Sequence, residues 1–347
     1  MFPLFTECII IVKRMDTVAQ EDEYKYYLSD DCRTSIEIEK KRYKNLCLNN
    51  QIVLFELLFE EQYQMCKYNF MEYWQTIFKI SETFRLDCPY DRKNMTLPSL
   101  EINQRILNIL TSIESYDDHI GHKVSKLWGK SSKQAKKYKE IDSGLYDKFF
   151  SYRFLKRLRN YAQHYDLPVK CISYPVISVG FEPRQIALTV SPIAYKKHLL
   201  EFDGWSTVKK DIEEQDDKID LNIIIEEAFR VFTSLHSQFR GFLSFTLEQA
   251  HCTIMELYES KEGRSEDVLY LIKGLGDKAV ESQWVQYDNI KIIKELIERS
   301  PKIEGINFST TQPEKYLKGI SKIASHIRLA NMIRGKQRPN NTIEETR

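Results

Sequence analysis

Residues 159–166 read RNYAQHYD, an arginine, a polar Asn160, three further residues and then His164. Imidazole is the side chain whose proton moves in either direction near neutral pH. Guanidinium offers a fixed fork of donors that matches a phosphate. Cleavage of an RNA strand needs both: a proton taken from a 2′-hydroxyl, a proton given to the leaving 5′-oxygen, and a cation on the phosphorane oxygens. His164 suits the proton transfers and Arg159 the phosphate. On a helix, Asn160 and His164 share a face at about 40°, whereas Arg159 and His164 diverge by about 140°. An undistorted helix therefore does not aim both at one phosphate. The reach of the arginine, an unwound last turn before Pro168, or a second copy of the chain would each supply the missing convergence. The competing reading is an ordinary helix C-terminus, where Arg159 and His164 complement the dipole.

The surrounding charge is lopsided. Between Lys123 and Arg159 stand 12 Lys/Arg against Glu140, Asp142 and Asp147, a net +9 in a chain of net +1. A positive run of that strength attracts polyanions. Tyr138, Tyr146, Tyr152 and Tyr161 are interleaved with it and offer rings for stacking on unpaired bases. The candidate RNA contacts are Lys133, Lys136, Lys137, Arg153, Lys156, Arg157 and Tyr161. A charge run of this kind is also what a solvated helix surface looks like.

RNYAQH resembles the Arg–polar–x–x–x–His signature of HEPN domains, which are helical bundles, many of them metal-independent endoribonucleases. The resemblance covers six residues and a helical context from about 49 to 168. It implies that His164 is the acid/base, Arg159 the phosphate clamp and Asn160 the polar residue that orients them. It also implies a homodimer in which the motifs of two chains face each other in one composite site. For such a contact the third bundle helix and the 145–164 face, with Leu145, Phe149, Tyr152 and Leu155, are the expected contributors. HEPN toxins paired with nucleotidyltransferase antitoxins carry a Tyr two residues after the His, where this chain has Asp166, with Tyr165 one position early. An antitoxin or sensor protein is a further partner that the resemblance implies.

Other chemistry-bearing strings are weaker. His119 and His122 stand at i, i+3 with Asp118 beside them, but HxxH without the glutamate of HExxH or a third ligand describes a polar helix face as well as a metal site. Glu114, Asp117 or Asp118 lining the same cleft as His164 is the better expectation for that helix. SFTLEQAHC (244–252) has Ser, Glu and His without a nucleophile elbow, and His198, His236 and His251 read as ordinary satisfied or exposed histidines. GLGDK (274–278) lacks the frame of a phosphate loop and reads as a helix–helix turn. Residues 315–338 carry seven Lys/Arg and no acid, which suits a second nucleic-acid contact or an amphipathic docking helix. No metal and no cofactor is expected.

The elements that must position these residues are mostly helical. Only 12 Gly and 10 Pro occur in 347 residues, so long stretches run without breakers. Apolar residues recur every three or four positions over 49–81, 100–128, 132–164 and 223–258. A loop is expected over 85–99 with Ser99 as a helix cap, a break at GKSS (129–132), and an interruption near Ser143 and Gly144. A β-hairpin follows Pro168, with strands VISVGF and IALTV and turn EPRQ. DIEEQDDKID (211–220) reads as a solvated connection, 265–299 as one or two helices, 313–335 as another. Near the N-terminus, Cys8–Val12 reads as a buried strand and 34–41 as a short exposed one.

This amounts to a mainly α chain: a mixed segment over 1–45, a HEPN-like bundle with a β-hairpin over 46–200, a helical region over 201–338 and a flexible tail over 339–347. Seven scattered cysteines without CxxC point to a reducing, cytoplasmic setting, and no stretch reaches the length of an apolar membrane span. The function expected is a metal-independent endoribonuclease in a toxin or antiphage setting. The alternative is a non-catalytic helical module that binds RNA or a protein through the basic 123–159 surface.

Overall fold

The computed structural model describes residues 23–30, 34–87, 92–174, 176–179, 185–188, 190–259, 268–276 and 278–299. Cys8–Val12, residues 313–335 and the tail lie outside them. Within them the chain is mainly helical, as its periodicity implies.

Strands β1 (Tyr24–Asp30) and β2 (Thr34–Ile38) lead into α1 (Lys40–Asp87), followed by α2 (Arg92–Trp128), α3 (Lys133–Lys148) and α4 (Phe150–His164). Of the expected loop over 85–99, residues 85–87 belong to α1 and 92–99 to α2, so Ser99 lies inside α2 rather than capping it, with Pro98 also inside the helix. The break at GKSS is present, and Ser132 caps α3 by accepting from the N–H of Ala135. The expected interruption at Gly144 does not occur. The helix instead ends at Phe149, whose extended backbone drops its ring into the core.

After α4 come β3 (Cys171–Ser173), β4 (Val176–Val179), β5 (Gln185–Leu188), β6 (Ser191–Tyr195), α5 (Lys196–Leu200), a 3-10 turn at Asp203–Trp205, α6 (Val208–Glu213) and β7 (Lys218–Asp220). β4 and β5 form the expected antiparallel hairpin as a unit of its own, in register from Val176↔Leu188 to Val179↔Gln185. β3, β6 and β7 form a separate three-stranded antiparallel sheet. The acidic stretch 211–220 is thus not a solvated connection. It supplies the end of α6 and all of β7, because Ile212 and Ile219 are buried.

The longest element after α1 is α7 (Leu221–Glu259), which packs against α1, α3 and α4 and buries one face along its length. β8 (Val268–Leu275), β9 (Lys278–Gln286) and α8 (Asp288–Glu298) complete the described chain. Helices were expected over 265–299, and only α8 is one. β8 pairs with β1, giving the order β2-β1-β8-β9, so the N-terminal strands supply the partner that local periodicity cannot reveal. GLGDK is therefore not a helix–helix turn: Gly274 and Leu275 end β8, Gly276 follows at φ 59°, and Lys278 opens β9. α1 is fastened to this end of the chain. Asn50 donates to the carbonyl of Trp284 at 3.0 Å and Gln64 to that of Leu296 at 2.9 Å. No helix among the described residues is long and apolar enough to cross a membrane.

Candidate functional site

The motif residues stand on α4, FSYRFLKRLRNYAQH, which contains neither Gly nor Pro. Ser151, Tyr152, Phe154, Leu155, Leu158 and Tyr161 are buried, and this spacing of three and four turns one face into the bundle. Trp205 is fully buried against that face, stacked on Phe154 at 5.4 Å and on Tyr161 at 5.6 Å, and its indole N–H donates to the carbonyl of Leu199. Burying a ring of this size stabilises by roughly 2–3 kcal/mol. The exit from α4 is also held. The side chain of Asn103 on α2 donates to the carbonyl of Val169 at 3.2 Å and accepts from its N–H at 3.0 Å. The helix stays regular through His164, where the N–H of Tyr165 still reaches the carbonyl of Tyr161 at 2.9 Å. The last turn is not unwound.

A regular helix separates the motif. Arg159 turns toward α2, 3.6 Å from the Glu114 carboxylate, in a narrow cleft lined by Leu110, Ile113, Tyr152, Leu155 and Lys156. Its Nε is buried there without a partner. His164 is exposed and makes no hydrogen bond or ion pair with a described residue, and half-buried Asn160 is on the same side of the helix. One chain therefore brings Asn160 and His164 together and leaves Arg159 on another face. Glu114 and Asp117, expected to line a cleft with His164, instead meet Arg159 and Lys156 on the α2 side of α4, and Asp118 is exposed.

The basic face is more neutralised than its composition implies. Arg153 makes a bidentate pair with Asp211, at 2.7 and 3.0 Å. Lys156 sits between Asp117 at 2.8 Å and Asp142 at 2.7 Å. Burial opposes the charge of Lys156, but the two carboxylates outweigh it and hold its pKa above the usual lysine value. Burial pushes the Asp117 carboxyl up, only partly countered by Lys156. Lys137 pairs with Glu140 at 2.7 Å. Lys133 and Lys136 on α3 are exposed, and Arg157 on α4 is half-buried with no hydrogen bond or ion pair to a described residue.

Two expectations fail on burial. Tyr161 is 1% exposed, and Tyr138 and Tyr152 are also buried, so these rings cannot stack on bases. Tyr138 and Tyr152 instead donate to Asp117 and Asp142, each at 3.0 Å, and burial pushes the Tyr161 phenol up to about 12. The expected dimer face is likewise consumed by the fold. Leu145, Phe149, Tyr152 and Leu155 are all buried within the single chain.

His119 and His122 are exposed on α2, and no group of three or more metal-ligating side chains occurs among the described residues. The histidines of α7 are paired. His251 meets Glu56 at 2.6 Å. His236 lies between the rings of Phe59 and Tyr63, bonded to Tyr116 at 3.1 Å and Glu60 at 3.3 Å. Sequence reasoning missed Asp211, Asp117 and Asp142 as the acids that occupy α4's cations, because each comes from a different helix. Comparison with family models, curated proteins and solved structures returns no match.

Proposed function

We propose that this chain is a metal-independent endoribonuclease of HEPN type, with His164 as its acid/base. The observation that carries the reading is the state of His164: an exposed imidazole with no hydrogen-bond or ion-pair partner among the described residues, beside Asn160, at the end of a helix whose opposite side is locked into the bundle. An imidazole in this position is open to a bound substrate, and imidazole is the side chain suited to both taking and giving a proton. The 2′-hydroxyl gives its proton to His164 as its oxygen attacks the phosphorus. The bond to the 5′-oxygen then breaks, and the imidazolium returns a proton to that oxygen. The products are a 2′,3′-cyclic phosphate and a 5′-hydroxyl. Exposed Lys133 and Lys136 supply attraction for the rest of the strand. The toxin or antiphage setting follows from the resemblance of RNYAQH to HEPN domains.

The test is cleavage of RNA by purified protein and by His164→Ala. The variant is expected to keep the helical circular dichroism of the parent and lose about 10²–10⁴-fold in rate. An unchanged rate in His164→Ala rejects the reading and leaves the basic helices as a binding surface.

A further inference from the structure

The terminus of α4 is a poor place for an unassisted phosphate. A helix C-terminus carries about half a negative charge, so an anion beside His164 needs a cation on the same face. Arg159 is the arginine of the sequence motif, but it faces Glu114 on α2. The other cations of α4 are occupied too. Arg153 is held by Asp211, and Lys156 by Asp117 and Asp142. Arg157 is the one Lys or Arg of α4 that makes no hydrogen bond or ion pair with a described residue.

Its position is the decisive part. Arg157 precedes His164 by two turns of a helix that is regular from Phe150 to His164. Seven residues bring the two side chains to within about 20° of one another around the axis, at a rise of about 10.5 Å. Asn160 lies between them along the axis, about 60° around it from Arg157 and about 40° from His164. A long guanidinium and an imidazole at this spacing have the reach to meet one phosphate from its two ends, with Asn160 to one side. The other side of the helix offers nothing equivalent, since Ser151, Phe154, Leu155, Leu158 and Tyr161 fill it.

We propose that Arg157, rather than Arg159, is the guanidinium that holds the scissile phosphate of an RNA strand for His164. Half-buried Arg157 and Asn160 and exposed His164 then form one site on one side of α4 within a single chain. This rests on the ribonuclease reading of His164 and identifies the cation that reading requires. In the step itself the 2′-oxygen–phosphorus bond forms and the 5′-oxygen–phosphorus bond breaks. His164 carries the proton from one oxygen to the other, while Arg157 donates to the two non-bridging oxygens, where negative charge accumulates. Arg159 is a packing residue that ties α4 to α2.

The experiment compares Arg157→Gln, Arg157→Lys and Arg159→Gln with the parent and with His164→Ala. Cleavage of a defined RNA is read under single turnover, and binding of the same oligonucleotide made as 2′-deoxy is read against salt. Arg157→Gln is expected to slow cleavage about 10²–10³-fold and to lower the slope of log affinity against log salt by about one. Arg157→Lys restores the salt slope but only part of the rate, because a point charge replaces a fork. Arg159→Gln cleaves within a few-fold of the parent at an unchanged salt slope. Full activity in Arg157→Gln together with loss in Arg159→Gln overturns the assignment. Should His164→Ala cleave like the parent, the ribonuclease reading itself fails, and that result is separable because it does not depend on either arginine. A melting curve for each variant excludes unfolding as the cause of a lost rate.

Discussion

The Arg159 guanidinium lies 3.6 Å from the Glu114 carboxylate, across the contact between α4 and α2, and on a different face of α4 from His164. The two members of the sequence motif thus have different environments, one packed against a neighbouring helix and one open to solvent. The pair is part-exposed at both ends, so its Coulomb contribution is small, on the order of 0–1 kcal/mol. What Arg159 adds beyond this is the covering of the α2–α4 cleft by its stem.

The placement of Arg157 and His164 on one face of one helix bears on assembly. Chains carrying Arg157→Gln and His164→Ala, each inactive alone, are expected to remain inactive when mixed, because the site is complete in one chain. Cleavage assays on equimolar mixtures read this. Recovery of a substantial fraction of parental activity would show that two chains share a composite site, the arrangement the HEPN resemblance implies.

Cleavage should persist in EDTA, and its products should end in 2′,3′-cyclic phosphate. The nucleophile is the substrate's own 2′-hydroxyl, and an imidazole with a guanidinium covers the proton transfer and the charge. Mass spectrometry of the product ends after chelation measures both. Activity abolished by chelation and restored by a divalent ion, with 3′-hydroxyl or 5′-phosphate ends, would move the chemistry away from His164.

The helical segments, the GKSS break and the hairpin after Pro168 were legible because each depends on local residues: periodic apolar positions, a serine cap, β-branched runs. What was not legible depended on distant partners. Residues 268–275 and 278–286 become strands because β1 offers an edge to pair with, and 211–220 orders because Ile212 and Ile219 find a core. The same limit governs the site. Helical geometry showed that Arg159 and His164 diverge and that Asn160 shares the face of His164. It could not show which cations α2, α3 and α6 would neutralise, since Asp117, Asp142 and Asp211 each stand on a different helix and meet α4 only through the packing of those helices. Nor could it show that the tyrosines among the lysines point inward, where Tyr138 and Tyr152 bond to those same acids.

Stability should depend on pH through His236. Burial between Phe59 and Tyr63 lowers its pKa below the usual histidine value, a shift opposed by Glu60 and reinforced by the nearby Arg240. The unfolded chain then binds more protons than the folded one just below about pH 6.5, so the stabilisation present above that pH is lost as pH falls through the lowered folded value. Denaturant melts of the parent between pH 7.5 and 4.5 should show this decline, and His236→Gln should flatten it. A variant with the parental slope throughout would remove His236 as the titrating group.

The most direct measurement on the central claim is single-turnover cleavage of one defined RNA by the parent protein and by His164→Ala, run beside the same oligonucleotide with a 2′-deoxy residue at the cleaved position. His164 as acid/base for 2′-hydroxyl attack predicts three results together: cleavage of the RNA by the parent, a loss of about 10²–10⁴-fold in His164→Ala, and no cleavage of the deoxy-substituted strand by either. Cleavage of the deoxy strand, or equal rates for the parent and His164→Ala, would contradict it.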